Sequence, residues 1–143
     1  MTRATALDPA APILSTLQHF GPDASFAGST LSPPSLTESV AYCRALAVSH
    51  YENFSVLTSL VPPDLRDDFA AVYAFCRWSD DLADETGPTP DGRERSLNLL
   101  AWWRGELARA FEPGPAPLEG GAAKATHPVY IARRATAQRR ALP

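Results

Sequence analysis

The sequence predicts an all-α fold, and three observations carry that reading. Apolar residues recur three and four apart in several separate blocks, the period of a helix with one buried face. No segment alternates apolar and polar residues at a period of two for long enough to form a strand. The 14 prolines crowd the N-terminal tract and the stretches Thr86–Asp91 and Glu112–Glu119, so they separate helical blocks and do not interrupt them. No internal repeat is present.

The elements follow in chain order. Residues 1–35 are rich in Pro, Ala, Ser, Thr and Gly, with scattered apolar positions Ile13, Leu14 and Leu17; they read as a disordered leader with a short helical turn over Pro12–His19. A helix then runs from Leu36 to His50. Ser35 and Glu38 form a capping box at its start, and Val40, Cys43, Leu46 and Ala47 supply its apolar face. "YENFSVLTSLV" continues as a turn and a short apolar helix. Pro62 and Pro63 open the next helix, and Asp64 complements the positive end of its dipole. Leu65, Phe69, Val72, Tyr73, Cys76 and Leu82 give that helix its periodicity, and Gly87 and Pro88 end it. A third helix starts near Asp91 and carries Leu97, Leu100, Ala101, Trp102 or Trp103, Leu107 and Phe111. "PGPAPLEGGAAKAT" is a loop. Pro128 opens a fourth helix, with His127 in its N-cap region, and that helix barely gets under way before the sequence stops.

Bulk properties exclude several classes. A length of 143 residues supports one small core, and 45% apolar with 20% charged residues is the balance of a soluble globular chain. A net charge of -3 without a clustered basic face argues against a nucleic-acid partner. Cys43 and Cys76 have no CxxC partner and lie in apolar surroundings, so both read as buried thiols. No run of eighteen apolar residues exists, and the N-terminus has no continuous apolar segment of signal-peptide type, which points to the cytoplasm.

The chemistry concentrates in "YAFCRWSDDLADE". Asp80, Asp81 and Asp84 fall within five residues, and Arg77 sits one turn before them. Residues three and four apart share a helix face, so one stripe reads Tyr73, Arg77, Asp80 or Asp81, Asp84. Like charges at this spacing destabilise a helix by a few tenths of a kcal/mol per pair. Acids at a helix C-terminus oppose the macrodipole by roughly 0.3–1 kcal/mol each. Two arrangements answer these costs. One is a solvated acidic helix end with an Arg77–Asp81 surface pair, which contributes little. The other is a bound hard cation such as Mg²⁺, which takes one or two carboxylates plus substrate phosphates. The aromatic and apolar embedding favours the cation. Structural readings stay open beside the functional ones: Tyr73 as a core aromatic, Arg77 as an ion-pair partner, His50 as a cap or core histidine, and Asn53 as a turn cap. Trp102 and Trp103 read as packing.

The blocks "AYCRALAVSHYENF" and "LVPPDLRDDFAAVYAFCRWSDDLADE", in this order and separation, resemble the N-terminal half of the squalene/phytoene synthase family. "SHYENF" and "CRWSDDLADE" are the deciding strings. The resemblance runs from Leu36 to Arg134, leaves the leader uncovered, and looks closest to the hopanoid-pathway squalene synthase (HpnC) type. It implies the all-α isoprenoid synthase fold, with residues 36–143 as the N-terminal portion of the helical bundle, and head-to-head prenyl transfer. By resemblance, Asp80 and Asp84 match the first Asp-rich motif, DxxxD, which binds Mg²⁺ bridging to a substrate diphosphate, with Asp81 the adjacent acid of that metal motif. Arg77 matches a basic residue that contacts the diphosphate, and Tyr73 an aromatic beside the reacting carbons. His50, Tyr51, Asn53 and Phe54 match a substrate-binding block beside the diphosphate and the cavity mouth. The implied mechanism is ionisation, in which metal ions and basic groups stabilise the departing diphosphate and a carbocation is left in an apolar pocket. The implied substrate is presqualene or farnesyl diphosphate. Phytoene synthase-type condensation and a non-catalytic helical interaction module are the alternatives. The lipid character of the substrate implies loose peripheral contact with a membrane.

The family places a second DxxxD helix opposite the first. The later acids here, Asp91, Glu94, Glu106, Glu112 and Glu119, are not spaced that way. A truncated member is therefore expected, which lacks the C-terminal half as its partner and leaves apolar faces of the Leu36 and Pro62 helices partly exposed. Incubated with Mg²⁺ and presqualene or farnesyl diphosphate, the chain alone is expected to lack full activity; turnover at rates usual for the family overturns this expectation.

Overall fold

Helix boundaries in the computed structural model follow the punctuation of the sequence. The structure describes residues 8–22, 33–49, 59–111 and 127–142. Five helices lie among them: α1 (Ile13–Phe20), α2 (Leu36–Ser49), α3 (Arg66–Asp84), α4 (Pro90–Phe111) and α5 (Pro128–Arg140), with a 3-10 turn, Pro63–Leu65, leading into α3. No strand occurs among the described residues, so the all-α class holds. No described helix is long and apolar enough to cross a membrane.

α3 is the hub, packing against each of the other four helices. α5 lies across both α2 and α3. The caps hold as read from the sequence. The Ser35 N–H donates to Glu38 Oε2 at 2.8 Å and the Glu38 N–H donates to Ser35 Oγ at 3.2 Å, a reciprocal capping box on α2. Thr89 Oγ1 accepts from the Gly92 N–H at 3.1 Å at the start of α4. Gly87, at φ +85, turns the chain between α3 and α4, a conformation that favours glycine. A Cβ on Gly92 would stand 2.5 Å from the Thr86 carbonyl oxygen, so only glycine lets α4 begin this close to the turn. Ser96 Oγ then donates to the Leu82 and Ala83 carbonyls at 2.8 and 3.0 Å, satisfying part of the last turn of α3.

The buried face of α3 is not the one its large apolar residues mark. Ala70, Ala71, Ala74, Trp78 and Leu82 are buried, whereas Phe69 and Val72 are 42% and 47% exposed. Cys76 is exposed too, which corrects its reading as a buried thiol; Cys43 is buried, and burial pushes its thiol up to about 12. The physical reason is helix spacing. Three alanines let neighbouring helices approach closely, and one tryptophan fills the remaining space. Leu97 and Phe111 on α4 are likewise exposed, while Leu99 and Trp103 are buried.

Two elements extend further than the sequence reading. The helical turn expected over Pro12–His19 in a disordered leader is a docked helix, α1, whose Ile13 and Leu17 belong to the core. Eight residues are too few for a stable isolated helix, so α1 depends on that docking. Burial of Ile13 and Leu17 contributes roughly 1.5–3 kcal/mol each. The fourth helix of the sequence reading is a complete 13-residue element, α5, with Pro128, Val129, Tyr130 and Ala132 buried.

His127 anchors the start of α5. Its Nδ1 accepts from the Val129 N–H at 3.2 Å, as the N-cap reading expects, which leaves the proton of the neutral ring on Nε2. The ring stands edge-on to Trp78 and Trp103, at centroid distances of 4.3 and 4.9 Å. Those two indoles stack at 5.4 Å. Nε2 has no hydrogen-bond partner and lies among aromatic rings. Complete burial pushes His127 down to about 3. A depressed folded-state pKa means that the stabilisation is complete above the unfolded value of about 6.5 and is lost as pH falls toward about 3. Denaturant titrations across that window should show stability falling by several kcal/mol in all. His127→Asn, which retains a cap acceptor, should be roughly 2–4 kcal/mol less stable at pH 7 through lost packing and should show a shallower pH slope.

Candidate functional site

The angular orientation of α3 decides which of its residues face outward. Two indole hydrogen bonds fix it. Trp78 Nε1 donates to the Tyr42 hydroxyl at 2.9 Å, tying α3 to α2 inside the core. Trp103 Nε1 donates to Ser79 Oγ at 3.0 Å, tying α4 to α3, and Ser79 Oγ donates in turn to the Phe75 carbonyl at 2.8 Å. With Trp78 turned fully inward, Asp80 and Asp84 point outward and are exposed.

Both ends of α3 are also held. Near its start, Asp68 is buried and accepts from Thr136 Oγ1 at 3.0 Å, from Arg140 Nε at 2.8 Å and from Arg139, all on α5. Burial raises its pKa, and the arginine and threonine hydrogen bonds outweigh that, so the carboxyl lies below its ordinary range. At the far end, Glu85 accepts from the Ile13 and Leu14 N–H groups at 3.4 and 3.1 Å, capping α1. Sequence reasoning gave neither acid a partner. Each partner lies more than sixty residues away, and no local pattern announces it.

Between these ends lies the stripe read from the sequence. Arg77 Nε donates to Asp81 Oδ2 at 2.9 Å, and Arg77 Nη2 is 2.9 Å from Asp81 Oδ1, a side-on bidentate pair. Asp81 is 8% exposed, and the Arg77 side chain is 36% exposed. The ion-pair reading of Arg77 and Asp81 is thus realised, though its acid is buried. Tyr73 is half-buried beside them; burial raises its phenol pKa, Arg77 opposes the rise, and Asp81 adds to it, so the phenol stays protonated at neutral pH. Phe69 and Val72 share the outward side of α3 with Asp80. His50, Tyr51, Asn53 and Phe54 lie outside the described residues.

Among the described residues, no group of three or more His, Cys, Asp or Glu side chains is arranged to hold a metal. The donor chemistry of Asp80 and Asp84 nevertheless fits a hard divalent cation. They are two exposed carboxylates one helical turn apart, and a cation of this type takes its remaining oxygens from phosphates and water. A groove of about 700 Å³ lies elsewhere, between α1 and the first turns of α4, lined in part by Leu14, Leu17, Asp91, Glu94 and Arg95. It includes none of Tyr73, Arg77, Asp80 or Asp84.

One further cation outside the sequence reading packs on an aromatic of α3. Arg133 on α5 places its guanidinium 4.1 Å from the centre of the Phe75 ring. Desolvation lowers its pKa, with Tyr130 and Cys76 opposing.

Fold and site together define an all-helical protein that displays an acid pair and an arginine along one open helix flank. Its relatives name the family. Residues 47–143 match the squalene/phytoene synthase family, to which the chain belongs. It is 33% identical over 76 residues to a bifunctional lycopene cyclase/phytoene synthase of Sporisorium reilianum, a match over 53% of this chain and 10% of that protein. It is 32% identical over 65 residues to a presqualene diphosphate synthase of Rhodopseudomonas palustris, over 46% of this chain and 22% of the relative. It is 30% identical over 81 residues to a 15-cis-phytoene synthase of Synechococcus elongatus, over 57% and 25%. The chain thus spans a quarter or less of the length of these curated relatives. No solved structure matches it at a significant level.

Tyr42→Phe isolates the bond that orients α3. It removes only the acceptor of the buried Trp78 N–H, so the expected loss is about 1–3 kcal/mol in chemical denaturation, with helix content by circular dichroism unchanged.

Proposed function

We propose that this chain provides the first acid-motif wall of a head-to-head prenyl transferase acting on a prenyl diphosphate. The observation that carries the reading is the exposure of Asp80 and Asp84 on one flank of α3, next to a partly exposed Arg77. Family membership supplies the context for it. Asp80 and Asp84 would hold Mg²⁺. When bound, that ion neutralises diphosphate charge and eases departure of the leaving group. The protein's own part is electrostatic and steric. Arg77 offers donors to diphosphate oxygens. Tyr73, protonated and beside that pair, presents an aromatic edge and a hydroxyl. Phe69 and Val72 give the same side of α3 an apolar surface suited to a prenyl chain.

Within this reading, presqualene or farnesyl diphosphate is the substrate, and the hopanoid-pathway type of squalene chemistry is the preferred subtype. The relatives also include proteins named phytoene synthase, so phytoene-type condensation stands beside it. A second reading, a helical module that associates through an apolar face, is favoured by the exposure of Leu36, Val48, Phe69 and Val72 on α2 and α3.

Calorimetric titration with inorganic pyrophosphate separates the two readings. Wild-type protein is expected to bind pyrophosphate in a Mg²⁺-dependent manner. Asp80→Asn and Asp84→Asn should each weaken that binding about tenfold or more, equivalent to ~1.4 kcal/mol, with unchanged melting temperature. Metal-independent binding, or variants that bind like wild type, would sink the transferase reading.

A further inference from the structure

The three acids of the motif are not equivalent. Asp80 and Asp84 are exposed, whereas Asp81 is turned toward the core and only 8% exposed. Arg77 engages both of its oxygens: Oδ2 accepts from Arg77 Nε, and Oδ1 stands 2.9 Å from Arg77 Nη2. A cation held on the outward flank by Asp80 and Asp84 would have to compete with that guanidinium for Asp81.

The pair has a second property. A guanidinium carries five N–H donors in a fixed plane. The side-on grip uses Nε–H and one N–H of Nη2, so three donors remain on a side chain that is about one-third exposed. A long arginine otherwise samples many rotamers, and ordering it on ligand binding is unfavourable. Held through its Nε edge, Arg77 is ordered before a ligand arrives, and the grip leaves Nη1 free. Arg77 is also three residues from Asp80 and seven from Asp84, on the same run of turns. The buried acid therefore sets the plane of the arginine that stands beside the exposed acids.

We infer that Asp81 is a positioning residue for Arg77, holding its free N–H donors toward a diphosphate, and is not a third cation ligand. The inference rests on the diphosphate reading above and assigns separate tasks within it: Asp80 and Asp84 to the cation, Arg77 to phosphate oxygens, Asp81 to the orientation of Arg77.

A double-mutant cycle tests it. Affinity for inorganic pyrophosphate in saturating Mg²⁺ is measured for wild type, Asp81→Asn, Arg77→Ala and the double variant, with a thermal melt of each. D81N is expected to weaken pyrophosphate binding about tenfold in the wild-type background and by less than about twofold in the R77A background. Mn²⁺ binding without pyrophosphate, read by electron paramagnetic resonance, should be the same in D81N as in wild type. A D81N loss that persists undiminished in R77A, or that also appears in Mn²⁺ affinity, overturns the inference, because Asp81 then acts independently of Arg77. D81N that binds pyrophosphate like wild type overturns it as well. Asp81→Glu, which keeps the charge, runs through the same cycle in case D81N is poorly folded; its effect should also vanish in R77A, and an effect that does not vanish counts against the inference. Failure of the wild type to bind Mg²⁺ and pyrophosphate overturns the functional reading itself, and this inference with it; a defect confined to the coupling overturns only the role of Asp81.

Discussion

Everything outward-facing on this molecule depends on how α3 is rotated about its own axis. A helix with alanines on one side and phenylalanine, valine and tyrosine on the other has two candidate apolar faces. Area burial alone would favour the larger residues. The buried indole of Trp78, bonded to the Tyr42 hydroxyl, selects the alanine side. An indole N–H in a dry core needs an acceptor, so a rotation that separated it from Tyr42 would strand a buried donor. The stack of Trp78 on Trp103, with His127 edge-on to both, makes the same choice from the α4 and α5 sides. Arg77, Asp80 and Asp84 are displayed because that choice is made elsewhere.

The chosen rotation carries electrostatic tension, and the ends of α3 show how it is relieved. Asp68 is buried near the start of the helix, where the dipole favours an acid, and two arginines and a threonine from α5 complete its shell. At the opposite end the dipole disfavours acids, and three aspartates and a glutamate crowd there. Glu85 is answered by the N-terminus of α1 and Asp81 by Arg77. Asp80 and Asp84 remain as exposed negative charge at the negative end of the helix. These two are the acids of the proposed cation site.

Much of the local structure was legible in the sequence, because caps and breaks are short-range events. Ser35 with Glu38 and His127 with Pro128 are patterns a few residues long, and both appear as read. The all-α class and a shared stripe of Tyr73, Arg77, Asp80 or Asp81, and Asp84 follow from the helical period. The face of α3 was not legible. Large apolar side chains dominate any periodicity argument, whereas the fold rewards small ones at a close helix contact, as at Ala70, Ala71 and Ala74. The helix in the leader was legible only as a short turn, because its stability comes from Glu85 and the core, not from its own eight residues. Spacing left Asp80 and Asp81 as alternatives in the stripe, and only tertiary burial tells the two apart.

The Arg139–Arg140 grip on Asp68 bears on the order in which the molecule can assemble. α5 is the last of the described helices to be synthesised, yet it covers α2 and α3 together and completes the shell of an acid near the start of α3. Until it emerges, Asp68 has none of these hydrogen-bonding partners and must stay in water, and His127 is not yet present to fill the space beside Trp78. Earlier helices can form and touch as they leave the ribosome, while the side of their common core that α5 covers waits for it. Until α5 packs, the surfaces of α2 and α3 that it covers stay open to solvent.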